Sequence, residues 1–176
     1  SYRIRRRWSL PDLYQERLRA IRHFAGRDGF DLFGTGWDRL RAPGSVREQV
    51  ESSYKGPVAD KISAMRGYRF ALCYENTSFP GYITEKIFDA IFAGAIPVYL
   101  GAPDVGDYVP AEVYVDVRNL RDHEGLEQRL RSMPADEAET KRRAARDFLR
   151  SPAFDRFRAE HFVAELSSAV RATLET

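Results

Sequence analysis

The residues best suited to chemistry lie in one stretch, from Tyr74 to Lys86. This stretch begins at the end of an apolar run, passes through Pro80-Gly81 and enters a helical pattern. In open α/β sheets, ligands bind beyond the carboxyl ends of the strands, and the free N–H groups of a helix N-terminus attract phosphate. The stretch therefore predicts a phosphate-binding site.

Three side chains at the start of this helical pattern have complementary properties. Lys86 follows Tyr82 by four residues, so on a helix the ammonium and the phenol would converge on one oxyanion. Glu85 points in another direction, where a carboxylate can accept two hydrogen bonds from a ribose diol. The alternative is that Lys86 pairs with Asp89 while Glu85 only complements the helix dipole. Spacing alone leaves both interpretations open.

Asn76 and Arg19 carry a weaker signal. Asn76 closes the apolar run, where Asn commonly bonds its own backbone in a turn; its amide can also contact a ligand from the strand end. Arg19 shares the first helical pattern with Arg17, Arg22 and Arg27. Spacing does not select it, and a solvated helix arginine is the default interpretation.

Composition limits the classes of function. With 176 residues and 43% hydrophobic content, the chain predicts one domain over residues 1–176. A net charge of +2 is too small to predict a nucleic-acid partner. Cys73 is the only cysteine and falls inside an apolar run, so we expect a buried, inert thiol. The three histidines are widely separated, and we predict no metal site.

The first residues have an unusual character. The Arg3 to Trp8 segment is basic with an aromatic residue, which suits nucleic acid or an anionic membrane surface, although such runs are more often solvated edges or faces that dock another domain. It is unlike a signal peptide. No apolar run approaches the roughly 20 residues needed to cross a bilayer. The chain lacks a start methionine, so we expect a fragment or a processed chain.

Helical and strand patterns alternate along the chain. Ser9 to Asp12 has the composition of a helix start, and Gly94 suits a helix C-terminus. The predicted strands are 30–34, 70–74, 96–100 and 113–115, and the predicted helices are 9–26, a short one after Gly56-Pro57, 83–93, and further ones from Asp122 with boundaries at Pro134 and Pro152; a loop is predicted through Pro43, Gly44 and Ser45. The alternation favours an α/β fold with a parallel sheet.

The segment from Phe70 to Gly101 resembles the α-1,3-fucosyltransferase signature. Its strings F-A-L-C-Y-E-N, Y-I-T-E-K and G-A-I-P-V-Y-L-G fit the pattern F-x-L-x-x-E-N, Y-I-T-E-K, G-x-[IV]-P-[VI]-x-x-G. Segments 30–37 and 54–58 are similar to stretches of bacterial members. The resemblance covers at least residues 13–116 and is to the α-1,3/1,4-fucosyltransferases of glycosyltransferase family 10, bacterial type.

This resemblance implies a Rossmann-like domain flanked by helices, the C-terminal half of a GT-B glycosyltransferase, whose donor is GDP-fucose. It implies that Arg19 and Lys86 neutralise the diphosphate without a metal or cofactor. It further implies that Tyr82 donates a hydrogen bond to phosphate, that Glu85 holds the ribose hydroxyls, and that Asn76 contacts the donor near the phosphate and sugar.

The implied reaction is inverting transfer of L-fucose to a glycan hydroxyl in α-1,3 or α-1,4 linkage, through an oxocarbenium-like transition state. The glycan acceptor and the general base belong to an N-terminal half that is absent from this sequence. A bacterial cytoplasmic location is expected, with peripheral membrane contact or a homo-oligomer as further partners. Two alternatives stay open: a non-catalytic module that binds GDP or a nucleotide sugar, and a basic interaction protein acting through Arg3 to Trp8.

Overall fold

The computed structural model describes residues 12–39 and 44–174. Within them, the chain forms a parallel sheet of strands β1 (Phe70–Tyr74), β2 (Ile96–Leu100) and β3 (Val115–Asp116), ordered β1-β2-β3; the first two are continuous apolar runs. Phe70 lies opposite Ile96 in the first pair, and Val98 opposite Val115 in the second. The first two strands match the prediction. The third begins later than predicted because 111–113 form a turn of 3-10 helix.

Helices account for most of the remaining described chain. They are α1 (Tyr14–Phe24), α2 (Gly44–Ser53), α3 (Lys61–Met65), α4 (Glu85–Ala93), α5 (His123–Ser132), α6 (Ala135–Arg150), α7 (Pro152–Asp155) and α8 (Ala159–Leu174). Gly94 ends α4 with a φ of 80°, in the left-handed region that glycine tolerates. Pro134 immediately precedes α6 and Pro152 opens α7, so both predicted proline boundaries are confirmed.

Both faces of the sheet are covered, which explains why β1 and β2 lack alternating polarity. On one face Cys73 and Tyr99 pack in a cluster with residues of α4 and α6; on the other, Tyr74 and Val98 pack with residues of α1 and α5. The helical contributors are Ile87, Ala90, Ile91, Ala145 and Phe148 on the first face, and Ala20, Phe24, Leu126 and Leu130 on the second. The predicted α/β fold with a Rossmann-like parallel sheet is confirmed.

The first helix begins later than predicted. Ser9 to Pro11 lie outside the described residues, but Asp12 is described and is not helical. It forms an isolated antiparallel bridge with Thr77, and its Oδ1 accepts a hydrogen bond of 2.9 Å from the Tyr14 N–H. Pairing with the segment after β1 therefore keeps Asp12 extended, and α1 starts two residues further on.

The predicted strand at 30–34 is wrong. Only Leu32 pairs, in an isolated parallel bridge with Tyr54. Its N–H donates to the Ser53 carbonyl at 2.8 Å, and its carbonyl accepts from Lys55 N–H at 2.9 Å. Leu32 is thus tied to the segment after α2 and lies apart from the main sheet.

Helix α2 replaces part of the predicted loop, since Gly44 and Ser45 belong to its first turn. Val50 is the one buried apolar side chain among its residues. A helix with so little apolar surface gives almost no periodic signal, which explains why the sequence pattern did not predict it.

Helix α8 lies apart from both clusters. Every side chain described in it, at 159–173, is exposed, including the large apolar residues Phe162 at 67% and Leu166 at 54%. Even so, none of the helices in the described part of the chain is long and apolar enough to span a membrane.

Candidate functional site

The loop that joins β1 to α4 is fastened to the segment after β2. Glu75 N–H continues the strand pairing by donating to the Leu100 carbonyl at 2.8 Å. Ser78 Oγ donates to the Gly101 carbonyl at 2.7 Å. Gly81 N–H donates to the Asp104 carboxylate at 2.9 and 3.0 Å. The carboxyl ends of two neighbouring strands therefore share one ordered edge with the N-terminus of α4.

Lys86 is held at this edge by a network that comprises Glu75, Thr84 and Lys86, called the Lys86 network below. The Glu75 side chain is fully buried and accepts a hydrogen bond of 2.9 Å from Lys86 Nζ. Thr84 donates to the same carboxylate through its N–H at 2.8 Å and through Oγ1. Lys86 Nζ also donates to Thr84 Oγ1 at 2.8 Å. The Lys86 side chain remains 25% exposed, so a ligand can reach it.

The predicted alternative, an ion pair between Lys86 and Asp89, is wrong. The Asp89 carboxylate instead lies 2.9 Å from Nζ of Lys61 on α3. The reason is electrostatic: a fully buried carboxylate is stable only with a cation close to it, and Lys86 supplies that cation to Glu75.

The Lys86 network also shapes the N-terminus of α4. Thr84 occupies the N-cap position with extended backbone but makes no side-chain cap hydrogen bond, because its hydroxyl bonds Glu75 and Lys86. Thr84 therefore leaves the first amide N–H groups of α4 to other partners. Amide groups and an ammonium at one helix N-terminus form an electrostatic setting that suits an anion.

The structure brings Arg17, and not Arg19, to the end of β1. The Arg17 guanidinium donates to the Tyr74 carbonyl at 2.7 Å and to Asn76 Oδ1 at 2.6 Å. The Arg19 side chain is 62% exposed and pairs with Glu16 one turn earlier. Asn76 does not bond its own backbone in a turn; its side chain fixes Arg17.

A sequence signal for Arg17 does exist. Arg17, Ala20, Ile21 and Phe24 fall at the spacing of one helical face, and the last three are buried. A cation on the apolar face of a helix points toward the sheet, whereas Arg19 falls between the buried positions.

Tyr82 lies in the loop before α4, which begins at Glu85. The predicted convergence of Tyr82 and Lys86 over one helical turn is therefore wrong in its geometry. The Tyr82 ring instead lies against the Phe79 ring, with 4.7 Å between the centroids, and its N–H donates to the Phe79 carbonyl at 3.2 Å. The two aromatic side chains therefore pack against each other within the loop between β1 and α4.

Glu85 is the first residue of α4, and its side chain is 58% exposed. Partial burial raises the pKa of its carboxyl, but a backbone hydrogen bond and the charges of Lys86 and Lys61 outweigh burial and lower the pKa overall. Lys61 Nζ lies 3.7 Å from its Oε1. Glu85 thus presents an ionised, accessible acceptor beside the Lys86 network.

Cys73 is buried as predicted, at 2% exposure. Burial raises the pKa of its thiol well above the usual range, and its Sγ donates to the Lys86 carbonyl at 3.3 Å. The thiol therefore packs beneath α4 in a form that is a poor nucleophile.

One cluster in the described part of the chain has ligand atoms close enough for a metal: His23, Glu124 and Glu127 lie within 4.8 Å of one another. However, the Glu127 carboxylate accepts hydrogen bonds from Arg27 at 2.6 Å and Arg131 at 2.7 Å. These guanidinium groups already neutralise the carboxylate, so the cluster serves as a bridge between α1 and α5.

The fold and this edge together define a parallel α/β domain with cations at the carboxyl ends of its strands. The family model described as glycosyltransferase family 10 (fucosyltransferase) C-term matches residues 15–143. The chain therefore belongs to glycosyltransferase family 10, and the matched range contains the Lys86 network, Arg17 and Arg19.

Similar proteins carry names that agree with this family. An α-(1,3)-fucosyltransferase of Helicobacter pylori, FucT, is 38% identical over 78 residues, which cover 44% of this chain and 16% of that protein. An α-(1,4)-fucosyltransferase of Arabidopsis thaliana is 45% identical over 53 residues, covering 30% of this chain and 13% of that protein. A crystal structure of an α1,3-fucosyltransferase with GDP-fucose aligns with 74% of this chain and 44% of that chain, at 22% identity and a TM-score of 0.47. The chain thus matches only a minor part of its relatives' length.

Proposed function

We propose that this chain binds GDP-fucose as the donor domain of a fucosyltransferase that transfers L-fucose to a glycan hydroxyl, with inversion, in α-1,3 or α-1,4 linkage. The observation that carries the proposal is the position of Lys86: its ammonium is fixed at the N-terminus of α4, beside the carboxyl ends of β1 and β2. The family match over residues 15–143 and the fucosyltransferase names of the relatives support the same conclusion.

In this proposal, two cations stabilise the negative charge of the departing diphosphate. Transfer requires the bond between the fucose anomeric carbon and the GDP oxygen to break, so negative charge grows on the diphosphate as an oxocarbenium-like sugar develops. A preorganised ammonium and guanidinium stabilise that charge. Lys86 supplies the ammonium. For the guanidinium, the resemblance assigns Arg19, whereas the contacts of Arg17 with Tyr74 and Asn76 favour Arg17.

The remaining predicted contacts also belong to the proposal. Glu85 accepts hydrogen bonds from the ribose hydroxyls with its exposed carboxylate, and Tyr82 donates to phosphate from the loop before α4, where its ring lies against that of Phe79. Asn76 contributes mainly by orienting Arg17. The acceptor glycan and the general base come from a second half of the enzyme, and the two cations provide the charge that other transferases take from a metal.

Calorimetric titration of the chain with GDP tests these assignments. Lys86→Ala should weaken binding by about 1.5–3 kcal/mol, the scale of a charge-assisted hydrogen bond. Arg17→Ala and Arg19→Ala form a matched pair, two residues apart on α1: we expect about a tenfold loss from the first and less than a twofold change from the second, because an exposed arginine paired only with Glu16 contributes little.

The pair of arginine variants also shows how this proposal can fail. A larger loss from Arg19→Ala would favour the assignment from resemblance over the observed contacts. If Lys86→Ala and both arginine variants bind GDP as the unmodified chain does while far-UV circular dichroism shows them folded, the diphosphate does not bind at this edge.

A further inference from the structure

We infer that Glu75 is a positioning residue: with Thr84 it fixes the ammonium of Lys86 in the place where a nucleotide diphosphate is bound. The inference deepens the proposed function and rests on it. Glu75 lies directly after β1, is fully buried, and accepts a hydrogen bond from Lys86, whose side chain is partly exposed. No role for it follows from the spacing of the motif alone.

The burial of Glu75 requires an explanation. A carboxylate removed from water is strongly destabilising unless a cation and hydrogen bonds compensate it. Here Thr84 N–H, Thr84 Oγ1 and Lys86 Nζ all donate to Glu75, at distances of 2.8–2.9 Å. The carboxylate therefore organises Thr84, the N-cap residue of α4, and Lys86, the second residue of that helix.

The same contacts restrict Lys86. An ammonium group has three N–H donors, and in the Lys86 network one donates to Glu75 and one to Thr84 Oγ1. The third is left for an oxygen of a ligand that enters from the exposed quarter of the side chain. A lysine on a flexible four-carbon chain loses much rotamer freedom on binding, and this network removes that freedom before the ligand arrives.

The packing around Glu75 shows that its place is built into the fold. A Cβ at Gly101 would lie 2.6 Å from Glu75 Cγ and would also collide with the Tyr99 hydroxyl. The Tyr99 hydroxyl in turn accepts a hydrogen bond from Ala102 N–H at 3.0 Å. The Glu75 side chain therefore packs directly against the backbone at the end of β2, at a position where only glycine fits without a shift of its neighbours.

Glu75→Gln provides the decisive variant, because a positioning role and a purely electrostatic effect predict opposite changes in GDP affinity. Removing a negative charge next to a phosphate site should strengthen GDP binding if charge alone matters. If Glu75 positions Lys86, the amide loses the ion pair, Lys86 becomes mobile, and the GDP Kd rises by roughly tenfold. Tighter binding by Glu75→Gln, or an unchanged Kd, would overturn the inference.

A double-mutant cycle shows whether Glu75 acts through Lys86. In a Lys86→Ala background, Glu75→Gln should cause no further loss of GDP affinity, because the group that it positions is gone. Additive losses would overturn the inference. Glu127→Gln is the matched control: it also neutralises a buried carboxylate, on α5, and should leave the GDP Kd within about twofold.

Thr84 offers a second, milder test. Thr84→Ser keeps the hydroxyl and should keep the affinity, whereas Thr84→Val has the same shape without the hydroxyl and should weaken GDP binding by several-fold. Equal affinity in the two variants would contradict a network that runs through Oγ1.

A measurement without ligand separates this inference from the proposed function. In ¹⁵N-detected NMR of the free chain, the Lys86 ammonium should give a signal because its protons exchange slowly with water. Glu75→Gln should abolish that signal. If that signal is present but Lys86→Ala leaves GDP binding unchanged, the network exists and the proposed function fails. If GDP binding depends on Lys86 but Glu75→Gln changes neither the signal nor the affinity, the proposed function stands and the positioning role is wrong.

Discussion

At the scale of single residues, the site depends on contacts between side chains that are far apart in the sequence. Lys86 was selected by its place in the Tyr82 to Lys86 motif, yet its partner Glu75 lies eleven residues earlier. Arg17 and Asn76 meet across 59 residues. The motif therefore indicates the ammonium but not its carboxylate partner, and the signal for Arg17 lies in the helical face that it shares with Ala20, Ile21 and Phe24.

Gly101 gives a prediction at this scale. Gly101→Ala forces a methyl group against Glu75 Cγ and the Tyr99 hydroxyl, so it should reduce the free energy of unfolding by about 1–3 kcal/mol through overpacking. It should also weaken GDP binding by displacing Glu75. Urea unfolding and calorimetry provide the two readouts.

Gly106→Ala is the control, because a Cβ there meets no atom within 4 Å; it should change stability by less than about 0.5 kcal/mol. Equal stability of the two variants would mean that the end of β2 can relax around Glu75.

At the scale of elements, the sequence pattern predicts the strands that are buried on both faces, but it does not predict segments whose conformation depends on hydrogen bonds to distant parts of the chain. β1, β2, α4 and its terminal Gly94 were predicted because long apolar runs and a C-terminal glycine are strong local signals. The strand predicted at 30–34 failed because a short apolar run does not reveal its partner: Leu32 pairs with the segment after α2. The location of Asp12 outside α1 likewise depends on its bridge to Thr77, a tertiary contact.

The contact between α1 and α5 provides a prediction about pH. Glu127 is 6% exposed. Burial raises the pKa of its carboxyl, but hydrogen bonds from Arg131 and His23 and the charge of Arg27 lower the pKa overall. A carboxyl with a lowered pKa stabilises the folded state above its unfolded pKa of about 4.5, and that contribution is lost as the pH falls through the folded value.

Glu127→Gln should therefore reduce the free energy of unfolding by about 1–3 kcal/mol at pH 7, with a difference that shrinks as the pH is lowered from 5 toward 3. Thermal unfolding across that range measures the effect. Glu160→Gln, at an exposed position on α8, is the control and should show no such dependence. If the difference in the free energy of unfolding between Glu127→Gln and the unmodified chain stays constant over this pH range, the ionised form of Glu127 does not stabilise the fold.

At the scale of the whole molecule, the described chain combines a parallel sheet that is covered on both faces with a helix, α8, whose described side chains are all exposed. The site lies at the carboxyl edge of the sheet, whereas α8 exposes Phe162, Val163, Leu166 and Val170 to solvent. The expected homo-oligomer, the peripheral membrane contact and the bacterial cytoplasmic location stay predictions. The basic Arg3 to Trp8 segment, on which the nucleic-acid alternative depended, lies outside the described residues.

Membership of glycosyltransferase family 10 agrees with this architecture, and the matched range ends at residue 143, within α6. It contains β1, β2, β3 and both cations of the proposed diphosphate site.

The most direct test of the central claim is calorimetric titration of the unmodified chain with GDP-fucose, GDP-mannose and UDP-galactose. We expect both GDP sugars to bind, with GDP-fucose tightest, and UDP-galactose to bind at least tenfold more weakly, because the three ligands share the diphosphate but differ in base and sugar. Equal affinity for all three ligands would mean that the site binds diphosphate without selecting the base or the sugar. Failure of every GDP ligand to bind the folded chain would contradict the claim that this chain holds a complete donor site.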